Sequence, residues 1–428
     1  MAPVLNLPPE LLSEIFQLVG NALPPFVLSS VCSHWRAIVI ETPSLWRKIL
    51  LPDLSINQLQ IHLQRSRSYP LSIHIYTPYV FDDCLLTLVA QHSERWEEAF
   101  LFMPVELYTS LSSIRGRIPL LKRLTFIALK PLQVVHFNGF EIAPALREVA
   151  LRPLIARSTS KFPIPIVQLT KLRCNFYNTS FLCSYLARIP KLSHLYAHNY
   201  RSSHEAVTNS TLFSDVRFPE LKTLELTLCQ NSFIHFMLSR APNLATLRIN
   251  RFVLPNLPDS SSEIILPHLR HLILDHITHS VYRLHFSGFS DILKLLRVPM
   301  LSALELNDGD AKRDIVAVRD FIVRSGCQLD TFKLTINTDL APETALLFQA
   351  MPSLEHLHIV VRSPKDVPFY LITPVSQVFP KLQTFDLSAM AWDAPDALRD
   401  LHAFAQSNGK LKVSCLLDGG AFRSEVRS

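Results

Sequence analysis

One phrase, Pro-x-Leu-x-x-Leu-x-Leu, recurs through most of this chain and leaves few folds open to it. It reads Pro119-Leu121-Leu124-Phe126, Pro144-Leu146-Val149-Leu151, Pro190-Leu192-Leu195-Ala197 and Pro219-Leu221-Leu224-Leu226. It continues as Pro242-Leu244-Leu247-Ile249, Pro267-Leu269-Leu272-Leu274, Pro299-Leu301-Leu304-Leu306, Pro352-Leu354-Leu357-Ile359 and Pro380-Leu382-Phe385-Leu387. Copies without the proline stand at Leu169-Leu172-Cys174, Leu329-Phe332-Leu334 and, raggedly, Leu411-Ser414-Leu416. The first leucines are 23 to 32 residues apart and about 26 on average, a period typical of stacked repeats. The closing Leu-x-Leu alternates as a strand with one buried face must. The proline cannot sit inside a central strand but suits the turn leading into one.

Between phrases the period becomes helical. Phe181-Leu182-Tyr185-Leu186-Ile189, Phe233-Phe236-Met237, Ile292-Leu295-Leu296 and Ile315-Val318-Phe321-Ile322 follow i, i+3, i+4 spacing. Ala345-Leu346-Phe348-Gln349 and Ala397-Leu398-Leu401-Phe404-Ala405 continue the series. One strand plus one helix per repeat predicts an α/β solenoid with concave parallel strands and convex helices. Two weaker repeats precede these, with strands over Leu71-Ile73-Ile75 and Trp96-Phe100-Phe102. The organisation expected is a helical module over 1–50, degenerate leading repeats over 51–118, the solenoid over 119–417 and a disordered tail over 418–428.

Residues 52–417 resemble the leucine-rich-repeat family. That family places Asn or Cys three residues past the last leucine of the phrase, where the side chain satisfies loop backbone groups. Here only Cys229 and Asn337 match, so an irregular solenoid is expected.

The N-terminal segment follows another pattern. Leu7, Leu11, Ile15 and Val19 form an i, i+4, i+8 stripe with Leu12 and Phe16 beside it. Gly20-Asn21 ends that helix, Pro24-Pro25 restarts the chain, and a second stripe runs Leu28, Val31, Cys32, Trp35, Ile38 and Val39. Thr42-Pro43 breaks it, and Leu45-Trp46 follows. The order Leu7-Pro8, Glu10-Leu11-Leu12, Ile15-Phe16, Val31-Cys32, Trp35-Arg36, Leu45-Trp46 resembles an F-box, a three-helix module. The stretches Arg65-Ser66 through Pro70-Leu71 and His92 through Trp96 are similar to the region after the F-box in fungal F-box-like proteins. The resemblance implies docking on the Skp adaptor of cullin–RING ubiquitin ligases. Leu7, Pro8, Leu11, Ile15, Phe16, Val31, Cys32 and Trp35 would be the adaptor-binding residues. The alternative is that these helices only cap the solenoid's end, and part of the stripe must be internal core on either reading.

Alternation along the phrase puts polar neighbours of the leucines on the concave face, where solenoids bind partners. Candidate contacts for a protein substrate are Arg123, Arg152, Lys171, Arg173, His194, Tyr196, Glu225, Arg248, Asp275 and Glu305. The early turns lean basic, which suits an acidic or phosphorylated segment. The net charge of +6 is spread thinly with no Lys/Arg run, so charge does not point to nucleic acid. With nine glycines the chain has no phosphate-cradling loop, and it shows no nucleophile, zincin or kinase motif. The histidines His268, His271, His276, His279 and His285 lack a completing carboxylate pair or cysteine, and no cofactor or metal is expected. Seven cysteines without a CxxC pair, no leader-like N-terminus and no long apolar run suit the cytoplasm or nucleus. The reading is a non-enzymatic substrate receptor. Its rivals are a scaffold working outside ubiquitination, and an enzyme or nucleic-acid binder built on the solenoid. Polar segments at 201–217, 254–266, 307–313 and 361–374 are expected as loops.

Overall fold

The computed structural model describes residues 7–20, 23–78, 83–128, 137–154, 163–199, 216–250, 263–275, 289–309, 311–336, 344–361, 379–389 and 412–417. They fall into two compact units, Met1–Tyr177 with Arg188–Lys191, and Asn178–Ala187 with Leu192–Ser428.

The first unit opens with helices α1 (Pro9–Val19), α2 (Pro25–Ser30) and α3 (Ser33–Glu41). Pro9 and Pro25 occupy first-turn positions, where a missing N–H costs nothing. The second apolar stripe, continuous in sequence, is broken at Cys32. That residue is extended at φ −159°, and its Sγ accepts the Trp35 N–H at 3.4 Å as the cap of α3. Leu12, Phe16, Leu28, Ile38, Val39, Leu45 and Trp46 form the module's core, with Leu7, Val19, Phe26, Trp35 and Ile61 packed against it. A 3-10 turn, Pro43–Trp46, delivers the chain to strand β1 (Lys48–Leu51). The Trp46 indole N–H reaches back seven residues to the Val39 carbonyl at 2.8 Å, tying the end of α3 to that turn.

The same device recurs two strands later. Helix α4 (Ile56–Arg65) starts at a capping box of Ser55 and Gln58 and leads to β2 (Leu71–Tyr76). Helix α5 (Asp83–Gln91) ends in a 3-10 turn before β3 (Trp96–Met103). There the Trp96 indole donates to the carbonyl of Val89, again seven residues back, at 3.2 Å. Strands β4 (Arg123–Ala128), β5 (Glu148–Leu154) and β6 (Lys171–Phe176) follow. β1 to β6 pair in chain order, all parallel.

The second unit begins with α6 (Thr179–Leu186), β7 (His194–Asn199), β8 (Thr223–Thr227), α7 (Asn231–Leu238) and β9 (Thr246–Asn250). It continues through β10 (Ile264–Ile265), β11 (His271–Asp275), α8 (Ser290–Leu295), β12 (Leu296–Arg297), β13 (Ala303–Gly309) and α9 (Ala311–Ser325). Strand β14 (Thr331–Ile336), helix α10 (Thr344–Gln349) and strands β15 (His356–Val361), β16 (Thr384–Ala389) and β17 (Lys412–Leu417) complete it. The main sheet runs parallel in chain order through β7, β8, β9, β11, β13, β14, β15, β16 and β17, and β10 pairs only with β12. Of the segment 307–313, read from sequence as a loop, residues 307–309 end β13 and 311–313 begin α9, and Ile264–Ile265 is a strand. The helical stretch at 397–405, most of the other expected loops and the tail lie outside the described residues.

The proline of the recurring phrase acts as a turn residue. The N–H of the first leucine bonds to the carbonyl three residues earlier, immediately before the proline. This occurs at Leu121 to Ile118 (3.4 Å), Leu221 to Phe218 (3.2 Å), Leu244 to Ala241 (3.3 Å), Leu301 to Val298 (3.2 Å) and Leu354 to Met351 (3.2 Å). Proline thus sits at the second position of a four-residue turn, where its fixed φ is preorganised. The leucines after each turn, such as Leu221, Leu224 and Leu226, are fully buried, and their strand neighbours face outward.

One strand departs from the sequence reading. The strand expected over Trp96, Phe100 and Phe102 is present as β3, and the even spacing of the three would put them on one face. The buried residues of β3 are Trp96, Ala99, Leu101 and Met103, and Phe100 and Phe102 project from the other side. Pairing with β2 jumps from Trp96 to Glu98, an inserted residue that reverses the alternation beyond it.

Candidate functional site

Helix α1 is apolar on two faces. Leu12 and Phe16 enter the module's core. Leu11, Ile15 and Leu18, at i, i+4, i+7, form a second stripe that remains exposed at 47%, 41% and 80%. Beyond α1, Leu23, Val27 and Val31 are also exposed. A helix folded only as a cap would need its inner stripe alone. The second stripe leaves apolar surface in water that the module's own core does not use. Covering three such side chains fully would contribute roughly 3–5 kcal/mol after weighting by what they still expose.

The adaptor candidates therefore separate. Leu11, Ile15 and Val31 present apolar surface, and Pro8 is exposed at the N-cap of α1. Phe16 is core and unavailable for surface contact; its ring lies 4.7 Å from that of Trp35. Leu7, Cys32 and Trp35 are half-buried, Leu7 and Trp35 against the core and Cys32 as a cap. The Trp35 indole N–H is buried without a hydrogen-bond partner. Leu18 and Val27, also exposed, were not among the candidates. Leu18 falls seven residues after Leu11, so it was detectable once the inner stripe was assigned to Leu12 and Phe16 instead of Leu11 and Ile15.

Charge and edge-on ring contacts fasten the module to the leading repeats. Glu97 bonds Arg47 at 2.6 Å and Lys122 at 2.8 Å. The Lys122 hydrogen bond, with the charges of Lys122 and Arg47, holds its carboxyl below the ordinary value. His62 packs at 5.3 Å from the ring of Phe26 and 5.1 Å from that of Trp46, and its Nδ1 lies 3.2 Å from the Trp46 carbonyl. Burial lowers its pKa.

The candidate substrate contacts project from the less buried faces of their strands, and many are already engaged with each other. In the first unit Arg123 pairs with Glu98, and Lys171 with Glu148 at 2.8 Å. Arg173 is exposed, and Arg152 is half-buried with its Nε lacking a hydrogen bond. In the second unit His194 Nδ1 lies 2.8 Å from Ser193 Oγ, and Tyr196 is half-buried. Arg248 bonds Asp275 at 2.8 Å, and Asn307 donates to the other Asp275 oxygen. Asn250 donates to Glu225 at 3.3 Å, Thr335 donates to Asn307 at 2.9 Å, and Glu305 bonds His271 at 3.0 Å. Asp275 is only 4% exposed, so this ladder ties neighbouring strands together and leaves that carboxylate no surface to offer. It stands two positions before the site where the resembled family carries its asparagine. At that site Cys229 is buried, with Sγ 3.5 Å from the Thr227 carbonyl, and Asn337 lies outside the described residues.

Three of the cysteines are held as thiols. Burial pushes the thiols of Cys174 and Cys183 up to about 12 and that of Cys327 to about 11, far from the thiolate a nucleophile requires at neutral pH. His276, His279 and His285 lie outside the described residues, and His271 is engaged with Glu305. Among the described residues no helix is long and apolar enough to cross a membrane.

Residues 4–52 match the F-box-like family model. A comparison with curated proteins gives no match. The matched segment contains all three helices of the module, both faces of α1 and all of strand β1.

Proposed function

We propose that the F-box-like segment docks this chain on a Skp-type adaptor and that the sheets behind it hold a protein substrate for a cullin–RING ubiquitin ligase. The observation carrying the reading is the second apolar stripe of α1 inside the segment that matches the F-box-like model. F-box modules generally bind the Skp adaptor, and helix-in-groove association uses apolar anchors at this spacing. The substrate-holding part rests on the repeated parallel strands, a leucine-rich-repeat-like arrangement of the kind that binds partners along its strand face. On this reading the chain does no chemistry itself. It raises the effective concentration of a substrate lysine near a ubiquitin-charged partner.

The test is adaptor binding by the purified chain and by a Leu11→Asp/Ile15→Asp variant. Both positions are exposed, so the variant should fold. Binding by the wild type that is lost in the variant supports the proposal. Equal binding by both, or none by folded wild type, removes it.

A further inference from the structure

The inserted residue in β3 has a chemical consequence on the face of the first unit's sheet opposite its buried leucines. Parallel register aligns His74 of β2 with Phe100 of β3, and Tyr76 with Phe102, Ile127 of β4 and Arg152 of β5. The His74 and Phe100 rings stack at 5.9 Å and 16°, and Tyr76 and Phe102 at 4.8 Å and 29°. Tyr76 remains 63% exposed. Burial, with the charge of Lys48, lowers the His74 pKa, so its imidazole is neutral and stacks as an aromatic ring.

Cross-strand stacking explains why the rings face each other. It does not explain Arg152, whose Nε is buried at the end of the row with no acceptor. Arg152 is half-buried, and among the described residues no carboxylate pairs with its guanidinium. On the same face, the row four residues earlier on these strands is already neutralised, Glu98 by Arg123 and Glu148 by Lys171. A charged ligand is therefore drawn to the arginine end and not to the whole face. That pattern disfavours a nucleic acid strand, which needs several uncommitted cations along its phosphates.

We propose that this face binds an extended peptide segment of a partner protein, laying an aromatic or large aliphatic side chain on Tyr76 and Phe102 and a carboxylate on Arg152. Geometry sets the spacing. Tyr76 and Arg152 are three strands apart, about 14 Å at the usual separation of neighbouring strands. An extended chain advances about 3.4 Å per residue, and only even separations put two side chains on one side, so the acidic residue stands four positions from the apolar one. The inference rests on the proposed substrate-holding role and specifies the substrate feature recognised.

The experiment pans a random-peptide display library against the intact chain, then measures the selected peptides by fluorescence anisotropy. Selected peptides should share an aromatic or large aliphatic residue with Asp or Glu four positions away. Arg152→Gln should weaken them roughly tenfold or more and abolish discrimination against their Glu→Gln counterparts. Tyr76→Ser should weaken both peptide forms alike. Adaptor binding is measured on the same variants and should not change. Selection of peptides without that spacing, indifference to both variants, no selection at all, or binding of a (dT)12 oligonucleotide in place of peptide would overturn the proposal. If adaptor binding fails while the peptide signature holds, the ligase reading falls and this site stands; the reverse result sinks this site alone.

Discussion

Leu18→Ala isolates the outer stripe of α1. At 80% exposure the side chain contributes almost nothing to the fold, so unfolding free energy should move by no more than about 0.5 kcal/mol. In a docked complex the same side chain would be covered. Removing its branched end then forfeits roughly 1.5–2 kcal/mol of apolar burial. Since 1.4 kcal/mol is a factor of ten in Kd, adaptor affinity should fall about 10- to 30-fold. Isothermal titration calorimetry against the purified adaptor reads the affinity, and urea unfolding of the same sample reads the stability. An unchanged Kd would refute the assignment of this stripe to the interface. Weaker binding accompanied by a matching loss of stability would refute the claim that the stripe lies outside the core.

The inner stripe should behave in the opposite way: Phe16→Ala leaves a cavity beside Trp35 and should cost about 3–5 kcal/mol in chemical denaturation. His62 adds a pH dependence. Burial depresses its pKa below the ordinary 6.5, so its contribution is complete above that pH and is lost as pH falls below it, where the unfolded chain binds more protons. Thermal melts between pH 7.5 and 5 should show a shallower acid-side loss for His62→Phe than for wild type; identical slopes would contradict the assignment. Asp275→Ala should lower stability by about 1–3 kcal/mol in urea, because Arg248 and Asn307 lose an acceptor at a site nearly closed to water. A neutral result would mean the ladder does not brace the sheet.

Much of the fold was legible because its determinants are local. A proline followed two residues later by leucine closes its own turn, and the Leu-x-Leu after it needs only alternation to become a half-buried strand. The helices at 179–186, 231–238 and 311–325 could likewise be read from spacing. The F-box-like segment was readable because its residue types stand in a fixed order that a family model also matches. The site was less legible. Leu11 and Leu12 are equally apolar, and periodicity within α1 allows either stripe to face inward. Phe16 was read as a possible contact for that reason, and Leu18 was passed over.

By itself, the sequence determined that turns, strands and helices alternate over most of the chain and that an F-box-like helical segment precedes them, since turn chemistry and side-chain period act over a few residues. Tertiary structure alone decided which stripe of α1 stays in water. It also decided that one inserted residue in β3 turns Phe100 and Phe102 outward, and that Arg248 and Asp275 engage each other while Arg152 keeps an unpartnered nitrogen. Those outcomes depend on register between strands and on packing between helices distant in sequence, and no local pattern encodes them.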